Sequence, residues 1–176
     1  MTNEQYQVRE WMKKFGQECP EKPCIPSLEV RKLRAKLILE EALETIKYLG
    51  LQVCIKIPDV GYDSGISGYL DDGDNHGLFY LNGFEEHPVY EPCLIEIADG
   101  CEDLKVVTEG TLIACGLVDT EDEWCKDILF EEVMRSNNSK IWSDGTINKD
   151  KDGKVLKSPS YAPPNLQPII DKLSGK

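Results

Sequence analysis

The longest helical pattern in the sequence runs from Ser27 to Leu49, and Gly50 follows it as a favoured residue just past a helix C-terminus. Ser27 is the expected N-cap of this helix. Its apolar residues leave little of the helix surface polar, so we expect the helix to be largely buried. The fold therefore has to accommodate a long and mostly apolar helix. The apolar positions are Leu33, Leu37, Ile38, Leu39, Ala42, Leu43 and Ile46.

Three acidic residues interrupt this apolar helix. Glu40 and Glu44 are four residues apart and Glu41 and Glu44 three apart, so all three lie on one side. Two such charges about 4 Å apart repel each other by roughly 4 kcal/mol at an effective dielectric constant of about 20. A cation is therefore expected to offset this repulsion. A solvated acidic face is the alternative interpretation of the motif taken by itself.

A second predicted helix, from about Leu94 to Cys115, also carries acids among apolar residues. Glu96, Asp99 and Asp103 follow one another at spacings of three and four, which places them on one face. Two helices that each bring several carboxylates suggest a metal site with oxygen ligands. Such a site favours Mg²⁺ or Mn²⁺ over zinc. Gly100 and Gly110 in this helix indicate close helix packing or a nearby ligand.

Composition limits the classes of protein that fit. At 176 residues the chain is most simply one domain, residues 1–176. A formal net charge of −12 argues against a nucleic-acid partner, because no basic stripe is present. The sequence has no long apolar run and does not start like a signal peptide, so we expect a cytoplasmic protein without membrane contact. Its seven cysteines lack a CxxC pair and suit reduced thiols.

The remaining segments predict two further helices, two short strands and an irregular end. One helix is expected over residues 4–15, where Trp11 and Phe15 are assigned to the core in preference to a contact with a ligand. Another is expected to open at the capping box Thr120–Glu123 and to continue to about Arg135. Strands at 52–57 and 78–81 lie in an insertion at about 51–91. The C-terminal tail, about 137–176, has turn signals at Asp144-Gly145 and Asp152-Gly153, and the residues between them suit a small hairpin.

The acidic motifs resemble the signature of the MazG-like, all-α nucleoside triphosphate pyrophosphatases. The match consists of EExxE at Glu40, Glu41 and Glu44 and of ExxD at Glu96 and Asp99. The sequence around the second motif, EIADGCEDLKVVTEGTLIACGL, is similar to the third helix of that family. The segments FEEVMRSNNSK and DGKVLKSPSYAPPNL resemble the tail of its dimeric dUTPase-like and phosphoribosyl-ATP pyrophosphohydrolase-like members. The resemblance covers roughly residues 29–46 and 91–166, and the insertion separates its two acidic motifs.

The resemblance implies an all-α fold with an antiparallel four-helix bundle core, assembled as a homodimer or homotetramer. It also implies hydrolysis of the α–β bond of a nucleotide to a monophosphate and pyrophosphate. By position, Glu41, Glu44, Glu96 and Asp99 would hold Mg²⁺ or Mn²⁺, and Glu40 would orient or deprotonate the attacking water. Candidates for contacts with the substrate are Lys140, Lys157, Arg135, Asn138, Asp103 and Tyr161.

Several alternatives stay open at this point. A pyrimidine deoxynucleoside triphosphate such as dUTP is the preferred substrate, followed by other triphosphates and by phosphoribosyl-ATP. A non-catalytic helical interaction module would tolerate the same acids as a solvated surface. A di-iron carboxylate bundle is disfavoured, because neither His76 nor His87 has a glutamate three residues before it.

Overall fold

The computed structural model of the chain describes residues 1–56, 80–120, 126–151 and 153–175. In these ranges the chain is mostly helical, as predicted, and carries one small antiparallel sheet of two strands. The elements in chain order are α1 (Asn3–Lys14), α2 (Leu28–Tyr48), β1 (Leu51–Lys56), β2 (Tyr80–Glu86), α3 (Leu94–Ala114), α4 (Ile128–Asn138) and α5 (Gln167–Leu173).

The described residues form two compact units. The first unit consists of Met1–Arg31 and Glu109–Lys176, and the second consists of Lys32–Thr108. The expectation of a single domain stays a prediction.

The predicted ends of the first three helices agree with the structure to within one residue. Thr2 and Gln5 form a capping box at the start of α1, in which each side chain accepts a hydrogen bond from the backbone of the other. The Ser27 hydroxyl accepts a hydrogen bond from the backbone N–H of Val30 at 3.3 Å, as expected of the N-cap of α2. These ends were predictable because capping depends on residues that are close in sequence.

The core of the first unit is built around Met12 and Ile113, whose side chains are fully buried. Met12 and Val8 occupy the side of α1 that packs against this core. The core assignment of Trp11 and Phe15 is wrong in this structure, since their side chains are 48% and 67% exposed. The two rings pack on each other instead, with centroids 4.7 Å apart, as residues four apart on a helix can do.

The two strands of the second unit confirm a hairpin-like insertion. β1 and β2 pair antiparallel from Leu51 opposite Glu86 to Lys56 opposite Tyr80, with an irregularity at Cys54/Ile55. β2 begins later and extends further than the predicted 78–81, while residues 57–79 lie outside the described ranges. At the base of the insertion, the backbone N–H of His87 donates to the Gly50 carbonyl and that of Cys93 donates to the Tyr48 carbonyl, at 2.7 and 3.1 Å.

Helix α2 is less buried than its composition suggests. Leu33, Leu39 and Leu43 each leave close to half of the side chain exposed. The expectation of a largely buried helix is therefore wrong for the isolated chain. The physical reason is that apolar residues on many sides of a helix need neighbours on as many sides to cover them.

Helix α4 differs from its prediction at both ends. It begins at Ile128, where the carboxylate of Asp127 accepts a hydrogen bond from the N–H of Phe130 at 2.9 Å, and it continues to Asn138. Asp127 therefore acts as the cap that the sequence assigned to Thr120, and residues 121–123 of the predicted capping box lie outside the described ranges. Asp127 also accepts a hydrogen bond from the buried Gln5 amide at 2.9 Å, which ties α4 to α1 within the first unit.

The tail after α4 is irregular, as predicted, but it is fixed by a network of hydrogen bonds around Ser139. The buried Ser158 hydroxyl donates to the Ser139 carbonyl at 2.7 Å, and the Ala162 N–H donates to the Ser139 hydroxyl at 2.9 Å. In place of the hairpin expected between the two turn signals, an isolated antiparallel bridge pairs Lys149 with Val155, and the Asp150 N–H donates to the Lys154 carbonyl at 2.9 Å. Helix α5 was not anticipated, because its seven residues are too few to show a helical period.

Glu132 links α4 to this tail. Its carboxylate accepts two hydrogen bonds from the Arg135 guanidinium, both at 2.8 Å, and one from the Asn165 N–H at 2.6 Å. Arg135 also donates to the Pro163 carbonyl at 3.1 Å. The hydrogen bonds from Arg135 and Asn165 lower the pKa of Glu132 from 4.5 to about 2.

We expect Glu132→Gln to make the protein less stable at neutral pH and less sensitive to acid. The pKa of Glu132 is depressed on folding, so its stabilisation is present above about pH 4.5 and is lost as the pH falls toward about 2. Thermal melts between pH 2 and 7 measure this difference. Glu131→Gln is the matched control, because Glu131 is an exposed neighbour paired only with Lys126 among the described residues. Equal acid sensitivity of wild type and Glu132→Gln would contradict the assignment.

Candidate functional site

Helices α2 and α3 approach each other closely at Gly100 in the second unit. A Cβ atom on Gly100 would lie 2.7 Å from the Thr45 hydroxyl oxygen and 3.3 Å from the Thr45 Cα. Thr45 is buried, and its hydroxyl donates to the Glu41 carbonyl at 2.7 Å. The sequence-based inference of close packing at Gly100 is therefore confirmed.

This contact brings the two acidic motifs together. Glu41 lies one helical turn before Thr45, and Asp99 and Asp103 flank Gly100 on α3. The pKa of Glu41 is raised above 4.5, first by burial and then by the negative charges of Asp103, Glu44, Glu40 and Asp99. Acids from both helices thus act on one carboxylate.

Glu44 differs from Glu41 because it has partners of its own. Its carboxylate accepts a hydrogen bond from the Tyr48 hydroxyl at 2.8 Å and one from the Lys47 ammonium at 3.1 Å. These two bonds lower the pKa of Glu44, and the bond from Tyr48 makes the larger contribution. The same bond raises the pKa of Tyr48, and the charge of Glu96 on α3 raises it further. Tyr48 therefore holds Glu44 by a hydrogen bond and also lies within the electrostatic influence of Glu96.

Lys47 and Tyr48 were not among the sequence candidates. The Lys47 ammonium lies 4.4 Å from the centroid of the Tyr48 ring and 5.3 Å from that of Tyr90. The sequence signal was available, since a lysine and a tyrosine three and four residues after Glu44 lie on its side of the helix. The contribution of Tyr90 depends on how the chain returns from the insertion, which local spacing does not predict.

The remaining acids have few partners. Glu40 pairs with Lys36 at 3.4 Å, but both side chains are more than half exposed, so this pair contributes little. Glu41, Glu96, Asp99 and Asp103 form no ion pair within the described parts of the chain. The protein therefore leaves most of the negative charge of this cluster uncompensated by those residues.

The donor chemistry of the cluster suits a hard divalent cation, because every candidate ligand is a carboxylate oxygen. Within residues 1–56, 80–120, 126–151 and 153–175, however, no three side chains of His, Cys, Asp or Glu lie close enough together to hold a metal ion. Mutual repulsion separates unneutralised carboxylates, and Glu40 and Glu44 are engaged by other side chains. The cluster fits such a cation in composition and charge, and its carboxylates would have to converge to bind one.

Five of the six predicted substrate contacts lie in the first unit, and Asp103 lies in the second. Arg135 is engaged by Glu132, and the Lys140 ammonium donates to the Asn137 side chain at 2.8 Å. Lys157 lies over the Tyr161 ring, 4.8 Å from its centroid. Asn138 is exposed as the last residue of α4. The structure thus brings Lys157 and Tyr161 together, and their contacts with a substrate stay predictions.

We expect Gly100→Ala to destabilise the protein by about 1–3 kcal/mol, because the new methyl group overpacks the contact with Thr45. The double variant Gly100→Ala/Thr45→Ala should recover part of this loss, since the nearest atom, the Thr45 hydroxyl oxygen, is removed. Urea denaturation of the two single variants and the double variant measures the coupling. Strictly additive effects would show that the two residues do not limit the approach of the helices.

A scan against protein-family models finds no match, and a search of curated proteins finds no significant match. Among the described residues, no helix combines the length and the apolar character needed to cross a lipid bilayer.

Proposed function

We propose that the protein is a metal-dependent nucleoside triphosphate pyrophosphohydrolase that cleaves the α–β phosphate bond. The observation that carries the proposal is the environment of Glu41, a partly buried carboxylate whose pKa is raised by burial and by acids from both α2 and α3. Burial of uncompensated like charges costs free energy that a bound cation offsets. We propose a four-helix bundle, with antiparallel helices, as the architecture that supports this cluster.

In this proposal Glu41, Glu44, Glu96 and Asp99 hold Mg²⁺ or Mn²⁺. Bound at these residues, the ion would neutralise charge on the phosphates and lower the pKa of a coordinated water. Glu40 is more than half exposed and is the acid assigned to orienting or deprotonating the attacking water. Tyr48 and Lys47 both donate to the same oxygen of Glu44, and its second oxygen is the one that would bind the ion.

The substrate contacts are proposed on chemical grounds. Lys140, Lys157 and Arg135 supply donors for phosphate oxygens, while Asn138 and Tyr161 supply groups for the base or sugar. Asp103, whose negative charge acts on Glu41, is the further carboxylate that we assign to substrate contacts. A pyrimidine deoxynucleoside triphosphate such as dUTP is the proposed substrate, and phosphoribosyl-ATP is the second candidate.

A nucleotide panel tests the proposed activity. The full chain is incubated with dUTP, dCTP, dATP, dGTP and phosphoribosyl-ATP, with Mg²⁺, with Mn²⁺ or with a chelator, and the release of pyrophosphate and monophosphate is measured. Metal-dependent formation of both products supports the proposal, and the order of kcat/KM identifies the substrate. Release of orthophosphate would contradict α–β cleavage. The absence of products from every nucleotide would favour a non-catalytic helical module.

We also propose that the chain assembles as a homodimer or homotetramer. The half-exposed leucines of α2 are residues that another subunit would cover. Light scattering at low micromolar concentration should give at least twice the mass of the 19.9 kDa chain. Leu39→Glu should shift the protein toward the monomer, whereas Lys36→Glu, an exposed control on the same helix, should not. A wild-type monomer would contradict the proposal.

A further inference from the structure

A cavity of about 390 Å³ lies in the first unit, and the described residues that line it all belong to that unit. Its walls come from α1, from the loop that follows α1, from the segment after α3 and from α5. The volume falls within the range of small-molecule binding sites. The charged residues that line it are Arg9, Lys22, Lys172, Glu21 and Asp119.

Three cationic side chains line this cavity, and the described residues do not neutralise them. Arg9, Lys22 and Lys172 form no ion pair and no side-chain hydrogen bond within the part of the chain that the structure describes. The Nε atom of Arg9 is buried and has no hydrogen-bond partner there. Because a fully buried Nε is out of reach of a ligand, the terminal nitrogens of the guanidinium are the donors that Arg9 can offer to the cavity.

The walls of the cavity are held by the fold. The backbone of Lys22 packs so closely against Gly116 that any Cβ there would collide with the Lys22 carbonyl oxygen. The N-terminal ammonium donates to the Asp119 carbonyl at 2.6 Å, and Val118 is buried in the core. Arg9 lies one turn from the buried Met12 on α1. The backbone that carries Arg9 and Lys22 is therefore packed against neighbouring segments.

We propose that this cavity binds a small anion that carries a phosphate group. The Arg9 guanidinium offers a planar pair of donors, and the two lysines add point charges. Arginine and lysine commonly bind phosphate groups in these two ways. Three cations and two acids leave the cavity with a net charge of 3 − 2 = +1, on a chain whose formal net charge is −12. The Glu21 carboxylate can accept a hydrogen bond from a ligand hydroxyl.

This site is independent of the proposed pyrophosphohydrolase activity, because phosphate binding here needs no divalent metal. Glu121, Asp122 and Glu123 follow Thr120 in the chain and lie outside the described ranges, so the charge count of the cavity does not include them. Binding of phosphate by the wild-type protein measures directly whether the three cations are available to a ligand.

Isothermal titration calorimetry of the full chain, in the presence of a chelator, tests the proposal. The probes are inorganic phosphate, inorganic pyrophosphate and a nucleoside monophosphate, with the matching nucleoside as the control without phosphate. We expect a Kd for at least one phosphate probe of about 1 mM or below. Tighter binding of the monophosphate than of inorganic phosphate identifies a nucleotide as the ligand, and the reverse order identifies a free phosphate.

Variants assign the binding to this cavity. Arg9→Gln and Lys172→Gln should each weaken phosphate binding by about tenfold, the loss expected for one charge-assisted contact. Lys14→Gln removes the same charge from an exposed position on α1 and should leave the Kd within about twofold of wild type. Arg9→Lys preserves the charge and should bind more weakly than wild type and more tightly than Arg9→Gln. If Arg9→Gln fails to fold, Arg9→Lys and Lys172→Gln carry the test.

Two results would overturn the proposal. One is the absence of heat and of NMR shift changes when the wild-type protein is titrated with all three phosphate probes. The other is phosphate binding that Arg9→Lys and Lys172→Gln leave unchanged. Neither result bears on the metal-dependent activity, which is measured with metal present and with variants of the acidic cluster.

Discussion

Replacing Glu41 with glutamine is expected to abolish metal-dependent pyrophosphate release while raising the melting temperature of the metal-free protein. Activity should fall by at least about a hundredfold, because a candidate metal ligand is lost. Stability should rise because the carboxylate is partly buried among Asp103, Glu44, Glu40 and Asp99. A variant that is both more stable and inactive is the expected signature of a charge cluster retained for function.

The pH dependence of stability tests the same assignment without any substrate. The pKa of Glu41 in the folded protein lies above its ordinary value of 4.5, so its favourable contribution is complete below that value. This contribution is lost as the pH rises through the folded-state pKa. Wild type and Glu41→Gln should therefore converge in stability at low pH and diverge at neutral pH, with the variant the more stable.

Glu102→Gln is the matched control for this experiment. Glu102 lies on α3 with its side chain 74% exposed and is paired with Lys105 at 3.6 Å. Its substitution should change neither activity nor the shape of the pH profile. Asp99→Asn should reproduce the loss of activity from the opposite helix. In addition, Mg²⁺ should raise the melting temperature of wild type but not of Glu41→Gln or Asp99→Asn. A wild-type melting temperature that does not change when Mg²⁺ is added would argue against the metal site.

Replacing Gly116 with alanine is expected to destabilise the protein more than replacing Gly100 with alanine does. The new Cβ would collide with the backbone carbonyl of Lys22, and a backbone atom cannot move aside as a flexible side chain can. Gly116 also has a φ of +65°, a conformation that disfavours residues with a side chain. We expect a loss of about 3 kcal/mol or more in the free energy of unfolding.

Gly145→Ala separates the two causes of that loss. Gly145 has a comparable φ of +81°, but nothing among the described residues lies within 4 Å of the position of its added Cβ. The backbone conformation alone should therefore cost about 1 kcal/mol at Gly145. Urea denaturation of both variants measures the difference, which reports the steric part at Gly116. Equal losses would show that the loop around Lys22 adjusts to the added methyl group.

The parts of the fold that were predictable from sequence are those set by neighbouring residues. Ser27 and Gly50 mark the two ends of α2. Both were predictable, because a cap and a positive φ act within one turn of the helix. The start of α4 was not predictable in this way. The box at Thr120 and the single carboxylate of Asp127 are competing signals of similar strength, and Asp127 is further supported by Gln5, which is 122 residues away in the chain.

The candidate site was predictable to a similar extent. The spacing of Glu41, Glu44 and Asp99 along their helices indicated a shared acidic face, and the pKa of Glu41 agrees with this placement. The same spacing also places Tyr48 beside Glu44, a signal that the sequence analysis did not use. It could not indicate that Glu132 binds the Asn165 backbone, which is 33 residues away in the chain. The cavity was missed altogether, because Arg9 and Lys172 lie at opposite ends of the sequence and only the folded first unit brings them together.

The two hydrogen bonds at the base of the insertion have a consequence for how the chain can change in evolution. Because Tyr48 and Cys93 are joined at 3.1 Å, and Gly50 and His87 at 2.7 Å, the polypeptide departs from α2 and comes back to nearly the same point. Segments of very different length can be grafted between such anchors at a small entropic cost. The number of residues between Glu44 and Glu96 can therefore change while the contact between their helices is kept. A search for relatives of this chain that allows a variable gap after Tyr48 is better matched to the architecture than one that scores the intervening length.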